Sequence, residues 1–237
     1  MNTHFLHGRS EREVTWYQRR GFLQAAASWS LLGSAGSALA QQSSHSIVER
    51  VGDVHLDKQR LESAQPIRSG SLIETGPGST LTFVIGDSAF HVRQNSRLTV
   101  ERSASSQAVV ALRLLTGAIV SVWGKGTPRQ IITPVVTAGI RGTGTYTEIL
   151  PQEDGRTYFC NCYGVVDLVS GTQQRLSEAE YHQAFWAEPA AQKGQYLTPA
   201  KLLNHTDEEV EYLARLAGQR TAWQITGRKG TKDGDYY

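Results

Sequence analysis

The sequence predicts a mainly β protein, a β-solenoid or twisted β-sandwich module finished by a short C-terminal helical cap. Three observations predict it. Between Ile47 and Gly171 no helical period is sustained. In the same stretch, short runs rich in β-branched residues recur, split by Gly, Ser and Asn. Near the end, Thr206-Asp207-Glu208-Glu209 has the form of a capping box. Behind it Val210, Leu213, Ala214 and Ala217 form one apolar stripe, and Gly218 stops the helix.

The chain starts with an address. Arg19-Arg20 precedes Gly21-Phe22-Leu23 and a modest apolar stretch that ends Ala38-Leu39-Ala40. A charged start, an apolar segment and a small-x-small end make an export signal, here resembling the twin-arginine type. Serines and glycines dilute the apolar stretch below what a membrane span needs. Residues 1–40 are therefore read as a signal peptide, with Arg19, Arg20, Ala38 and Ala40 as its marks and no span in the mature chain. Localisation follows as periplasmic or secreted. Twin-arginine export carries folded proteins, often after a cofactor has been inserted in the cytoplasm.

Composition narrows the function. The 237 residues carry 24 basic and 22 acidic groups, a formal charge of +2. Four arginines and two glutamates leave with the signal, which takes the charge to zero. That balance removes the electrostatic case for a nucleic-acid partner. Two cysteines exclude a disulfide-framework scaffold.

The expected module spans 41–171. Its runs include Leu81-Thr82-Phe83-Val84-Ile85, Ala89-Phe90-His91-Val92, Leu98-Thr99-Val100 and Val109-Val110-Ala111-Leu112. Ala118 to Val122, Gln130 to Ile132, Val135 to Thr137, Thr145 to Ile149 and Val165 to Leu168 complete the set. Gly117, Gly124 and Gly164 bracket the later runs and suggest tight corners where a Cβ would clash.

One segment is distinctive: Thr133-Pro134-Val135-Val136-Thr137-Ala138-Gly139-Ile140-Arg141-Gly142-Thr143. It resembles the hallmark of the FecR domain family. Val51-Gly52-Asp53-Val54, Ile73-Glu74-Thr75-Gly76, Gln94 to Leu98 and Leu115 to Val120 follow the family's order upstream. Where the family usually has Asp-Gly, this chain has Gly86-Asp87, so that hairpin can differ in type. The resemblance implies a β-rich periplasmic module. Name-giving members sense a siderophore receptor and control a sigma factor through a cytoplasmic segment and a membrane helix. The leading residues here read as a signal instead, so the module and the compartment carry over and the sigma-regulator role does not. Arg141 beside Gly142 and Thr143 is read as structural, bridging carbonyls of neighbouring corners, rather than as an anion contact.

Chemistry, if present, sits in the last third. Cys160-Asn161-Cys162 lies in a strand-like run, so both sulfurs share a face with Tyr158. Three readings stand open: a strained local disulfide, two buried thiols, or a pair of soft metal ligands. His182 and His205 lie downstream, and two thiolates with two imidazoles suit a zinc or copper ion. A blander reading leaves His205 at a helix start. Glu178 and Glu180 are taken as ordinary helix-turn charges. Residues 172–220 are expected to form an extension with one helix, and 221–237 a disordered tail. No nucleophile elbow is present, and Gly139-x-x-Gly142-x-Gly144 precedes no helix. The leading expectation is a non-enzymatic binding or signal-related envelope module, with an envelope protein or glycan as partner. The competing ones are a metal- or redox-active protein and a purely structural module.

Overall fold

A computed structural model describes residues 45–62, 65–105 and 108–230. The signal residues Arg19, Arg20, Ala38 and Ala40 lie outside them. Fourteen strands follow in chain order. They are β1 (His45–Val51), β2 (Val54–Leu56), β3 (Gln59–Arg60), β4 (Ser71–Thr75), β5 (Thr80–Ile85), β6 (Ser88–Val92) and β7 (Arg97–Arg102), then β8 (Val109–Val122), β9 (Arg129–Ile132), β10 (Thr137–Leu150), β11 (Arg156–Ser170), β12 (Gln173–Ala179), β13 (Gln183–Gln192) and β14 (Gln195–Ala200). Two helices close the described chain, α1 (Asp207–Leu216) and α2 (Ala222–Thr226).

The protein is mainly β, and its sheet does not close on itself. The main path runs β14-β13-β11-β10-β9-β8-β7-β4-β2-β3. A branch joins β1, β5 and β6 to β8. The one parallel pairing among the described residues is β8 with β9.

Three long strands, β8, β10 and β11, organise the rest. Residues 118–122, 142–147 and 157–163 are buried without a break. Continuous burial means that both faces of the sheet are covered there. On one face Ile119, Phe159, Phe83, Phe90 and Trp123 join a large aliphatic and aromatic core. Phe90 stacks on Phe83 and meets Trp123 edge-on, with centroids 4.9 and 5.0 Å apart. On the other face Val120, Tyr146, Tyr158, Cys160 and Cys162 form a second core with Val210, Leu213 and Trp223 of the helices. The helix pair approaches closely because β10 is small there: a Cβ on Gly144 would stand 3.0 Å from Val210 Cγ1.

Several sequence expectations are corrected. The extension does not hold one helix alone: β12, β13 and β14 prolong the sheet before it, and Glu178 lies on β12. These strands escape the period-2 reading because they are edge or near-edge strands with polar faces. The expected disordered tail begins with a second helix, capped by Thr221 and Gln224. The run through Cys160 does not end at Gly164, since β11 continues to Ser170. The Gly86-Asp87 hairpin has φ 57 at Gly86, and Asp87 has no positive φ. Glycine first is the pattern of a type II′ turn.

Candidate metal centre

Two irregularities in the sheet build the centre. In the β10–β11 ladder Gly144 pairs with Tyr163 and Thr145 with Asn161, so Cys162 is an extra residue on β11. In the next ladder, Gly164 pairs with Ala179 and Asn161 with Gln183. Three residues, Glu180 to His182, therefore oppose two. Such bulges re-aim side chains. The His182 amide donates to the Cys162 carbonyl at 2.9 Å, which seats the imidazole beside the sulfurs. His205 arrives from the loop before α1. Asn204 takes φ 57, a left-handed conformation that Asn tolerates, and its amide donates to Glu148. His205 thereby turns inward, one residue ahead of the helix cap.

The structure brings all four predicted residues together. The ligand atoms of Cys160, Cys162, His182 and His205 lie within 4.8 Å of one another, and all four residues are fully buried. Both cysteines are free thiols. His182 Nδ1 stands 3.6 Å from Cys160 Sγ, and His205 Nε2 stands 3.5 Å from Cys162 Sγ. The two ring nitrogens face each other at 3.1 Å.

Each imidazole commits its other nitrogen elsewhere. His205 Nδ1 donates to the Leu203 carbonyl at 2.7 Å. His182 Nε2 donates to Asp207 Oδ1 at 3.1 Å. A carbonyl and a carboxylate only accept, so in the neutral rings the inward nitrogens carry lone pairs. This is how protein-bound metals have their histidines oriented.

Aromatic rings wall the centre. Tyr146 stacks on His205 at 4.8 Å and Trp223 on His182 at 5.2 Å. Tyr181 donates to the Asp207 carboxylate, as does Lys229 at 2.8 Å. Below Tyr146, Arg93 reaches Glu209 at 2.8 Å, and Glu209 also accepts the Thr206 amide in the expected capping box. Sequence reasoning missed Asp207, Tyr146, Trp223 and Arg93. Only Asp207 left a trace, two residues after His205 in the capping box.

Burial pushes the thiols up, yet at Cys160 hydrogen bonding from Cys162 and both imidazoles outweighs it, holding that thiol well below its ordinary value. Cys162 goes the other way, raised by burial, by Cys160 and by the charges of Asp207 and Glu209. At His182 burial lowers the value, but Asp207 and Cys160 override it and push it up to about 9. Without a metal the pair is a thiolate beside an imidazolium, and a cation that displaces the imidazolium proton meets the thiolate and the freed ring nitrogen.

The family motif lies apart from this chemistry. Thr133 closes the turn into β10, its hydroxyl accepting the amides of Val135 and Val136. Ala138 and Thr143 are buried and Gly139 is half-buried, while Gly142 takes φ 68. Arg141 is exposed and bridges no corner among the described residues, against expectation. Buried Arg129 ties a corner instead, donating to the Ser88 hydroxyl and the Asp87 carboxylate rather than to carbonyls.

Residues 71–166 match the model of the family described as FecR protein. The chain carries a FecR domain. Two crystal structures of a provisionally assigned anti-sigma factor from Parabacteroides distasonis ATCC 8503 resemble it, each with 11% identity and a TM-score of 0.46. The similarity covers 56% and 61% of this chain, and 60% and 64% of those chains, so it spans less than two thirds of their length. No curated protein matches the chain. The FecR domain thus supplies both sulfurs of the centre, and residues beyond its matched end supply both imidazoles. No helix among the described residues is long and apolar enough to cross a membrane.

Proposed function

We propose that this is an exported FecR-domain module of the cell envelope that binds one transition-metal ion at Cys160, Cys162, His182 and His205. The facing ring nitrogens carry the reading. Two imidazole nitrogens 3.1 Å apart, flanked by two sulfurs, need a proton or a cation between them. A proton answers for one pair of atoms; an ion answers for all four. The reading is non-enzymatic, because the four buried protein ligands would fill every position of a four-coordinate ion. It also fits the twin-arginine signal, since that route allows folding and loading in the cytoplasm before the thiols meet an oxidising compartment.

The test is elemental analysis of protein recovered from its own export route, with thiol titration alongside. One ion per chain is expected, lost in Cys160→Ser and in Cys162→Ser. Mature protein without stoichiometric metal, or with a Cys160–Cys162 disulfide, overturns the reading.

A further inference from the structure

We infer that the ion is zinc, held in a closed tetrahedral centre that fastens the C-terminal helices to the FecR domain. The inference rests on the metal-binding reading above and adds the ion's identity and its task. Geometry comes first. Zinc bonds of about 2.3 Å to sulfur and about 2.0–2.1 Å to nitrogen put neighbouring S and N about 3.5–3.6 Å apart in a tetrahedron. A square arrangement of the same bonds shortens that edge to about 3.1 Å. The two S–N edges here are 3.6 and 3.5 Å. These two edges fit a tetrahedral ion better than a tetragonal copper(II) or nickel(II) ion, while the N–N pair at 3.1 Å and the spread of up to 4.8 Å require the side chains to shift as the ion seats.

Charge separates the remaining candidates. The four ligands are fully buried, so charge must balance locally. Asp207 is paired with Lys229, and Glu209 with Arg93. Glu211 shares Lys229 and is partly exposed, and half-buried Glu148 accepts from Tyr146 and Asn204. The imidazoles are neutral when they ligate. Two thiolate charges remain, and a divalent ion cancels them. A monovalent copper ion leaves one thiolate uncompensated, or one thiol protonated and unbound. Among divalent ions that accept two sulfurs and two nitrogens in a tetrahedron, zinc binds more tightly than iron(II) or cobalt(II).

The task follows from where the ligands sit. Cys160 and Cys162 belong to β11, His182 to the β12–β13 bulge, and His205 to the approach to α1. All four positions are filled by protein, and stacked Tyr146 and Trp223 cover the imidazoles. A centre with no open position is structural.

The experiment uses the full mature chain, reduced and purified with its native metal. X-ray absorption is expected to give zinc with two sulfurs near 2.3 Å and two nitrogens near 2.0 Å. Cobalt substitution is expected to give tetrahedral visible bands and a sulfur charge-transfer band absent from Cys160→Ser. On chelation, hydrogen exchange should rise at least tenfold in α1 and residues 201–206, while β5 and β6 stay protected. Copper or iron at one ion per chain, an added oxygen ligand, or unchanged exchange in α1 overturns this inference and leaves metal binding standing. A chain that takes up no metal overturns both.

Discussion

The two faces of the long strands obey different rules. On the main face, Phe159, Ile119 and Trp123 are fixed by contact with other apolar side chains, and burial of carbon area supplies the stability. On the cap face, Cys160, Cys162, His182, His205, Asp207 and Glu209 are buried within 2% exposure or less. Burying such groups costs free energy unless each finds a partner. Here several partners come from distant parts of the chain: Arg93 is 116 residues from Glu209, and His205 is 43 from Cys162. One sheet therefore has a tolerant core and an exacting one. An apolar core accepts many volumes, whereas a polar cluster fails when one member is lost.

The sharpest break between the faces is expected from Phe159→Ala. It removes a buried ring from the main core and should cost about 3–5 kcal/mol by denaturant unfolding. Metal content should stay at that of the parent, because Phe159 and Cys160 point to opposite faces. A variant that loses its ion in step with its stability would show that the faces are one cooperative unit.

Asp207→Asn tests the exacting face with almost no change of volume. The carboxylate orients His182 and accepts from Lys229 and Tyr181. Removing such an outer partner weakens metal binding about 10–100-fold. The expectation is that loss in affinity, measured by competition with a chelator, with the β-dominated far-ultraviolet spectrum intact. Unchanged affinity would reduce Asp207 to a helix-start residue.

Proton linkage gives an effect on the same face. In the metal-free chain His182 is raised from 6.5 to about 9. A raised value means stability that is fully present below 6.5 and fades as pH rises through about 9. Metal loading runs the opposite way, because the ion must displace that proton and those of the thiols. Affinity should climb with pH, about tenfold per unit for each proton displaced. Protein titrated in weak buffer should release protons on loading; a pH-independent affinity would count against thiolate and imidazole ligation.

How far the sequence reached differs by face as well. The short β-branched runs identify β5, β6, β7 and β9 closely, since alternation and turn residues are local signals. The length of β8 and β11 was not legible, because Gly117 and Gly164 read as corners while the strands bend through them. β12 to β14 were missed because Gln173 to Ala179 and its neighbours carry too little apolar alternation. Cys160, Cys162, His182 and His205 stood out by residue type. Their convergence depends on two bulges, and a one-residue insertion in a ladder has no local signature. Trp223 and Arg93 looked like any core aromatic and any surface cation until the second core placed them.

The smallest effects sharpen the comparison within the family motif itself, where two adjacent residues should behave oppositely. Gly142 and Thr143 lie opposite Gly164, so β10 carries one extra residue there, and Gly142 takes φ 68 to make the bend. A β-branched residue is strained at that φ whatever the space. Gly142→Val should cost about 1–3 kcal/mol. A Cβ there would also stand 2.5 Å from Lys125 Cγ and 3.3 Å from its Cα, so steric contact adds to the backbone strain. Arg141 is exposed, and Arg141→Ala should stay within about 0.5 kcal/mol of the parent. Paired denaturant midpoints check both. The bend at Gly142 sits two residues before the strand turns its face to the cap. If Gly142→Val also lowers metal affinity, the motif's glycine serves the exacting face, and its value is geometric. If the two variants have equal midpoints, the strain argument fails and the Arg-Gly-Thr segment owes its form to something other than the backbone.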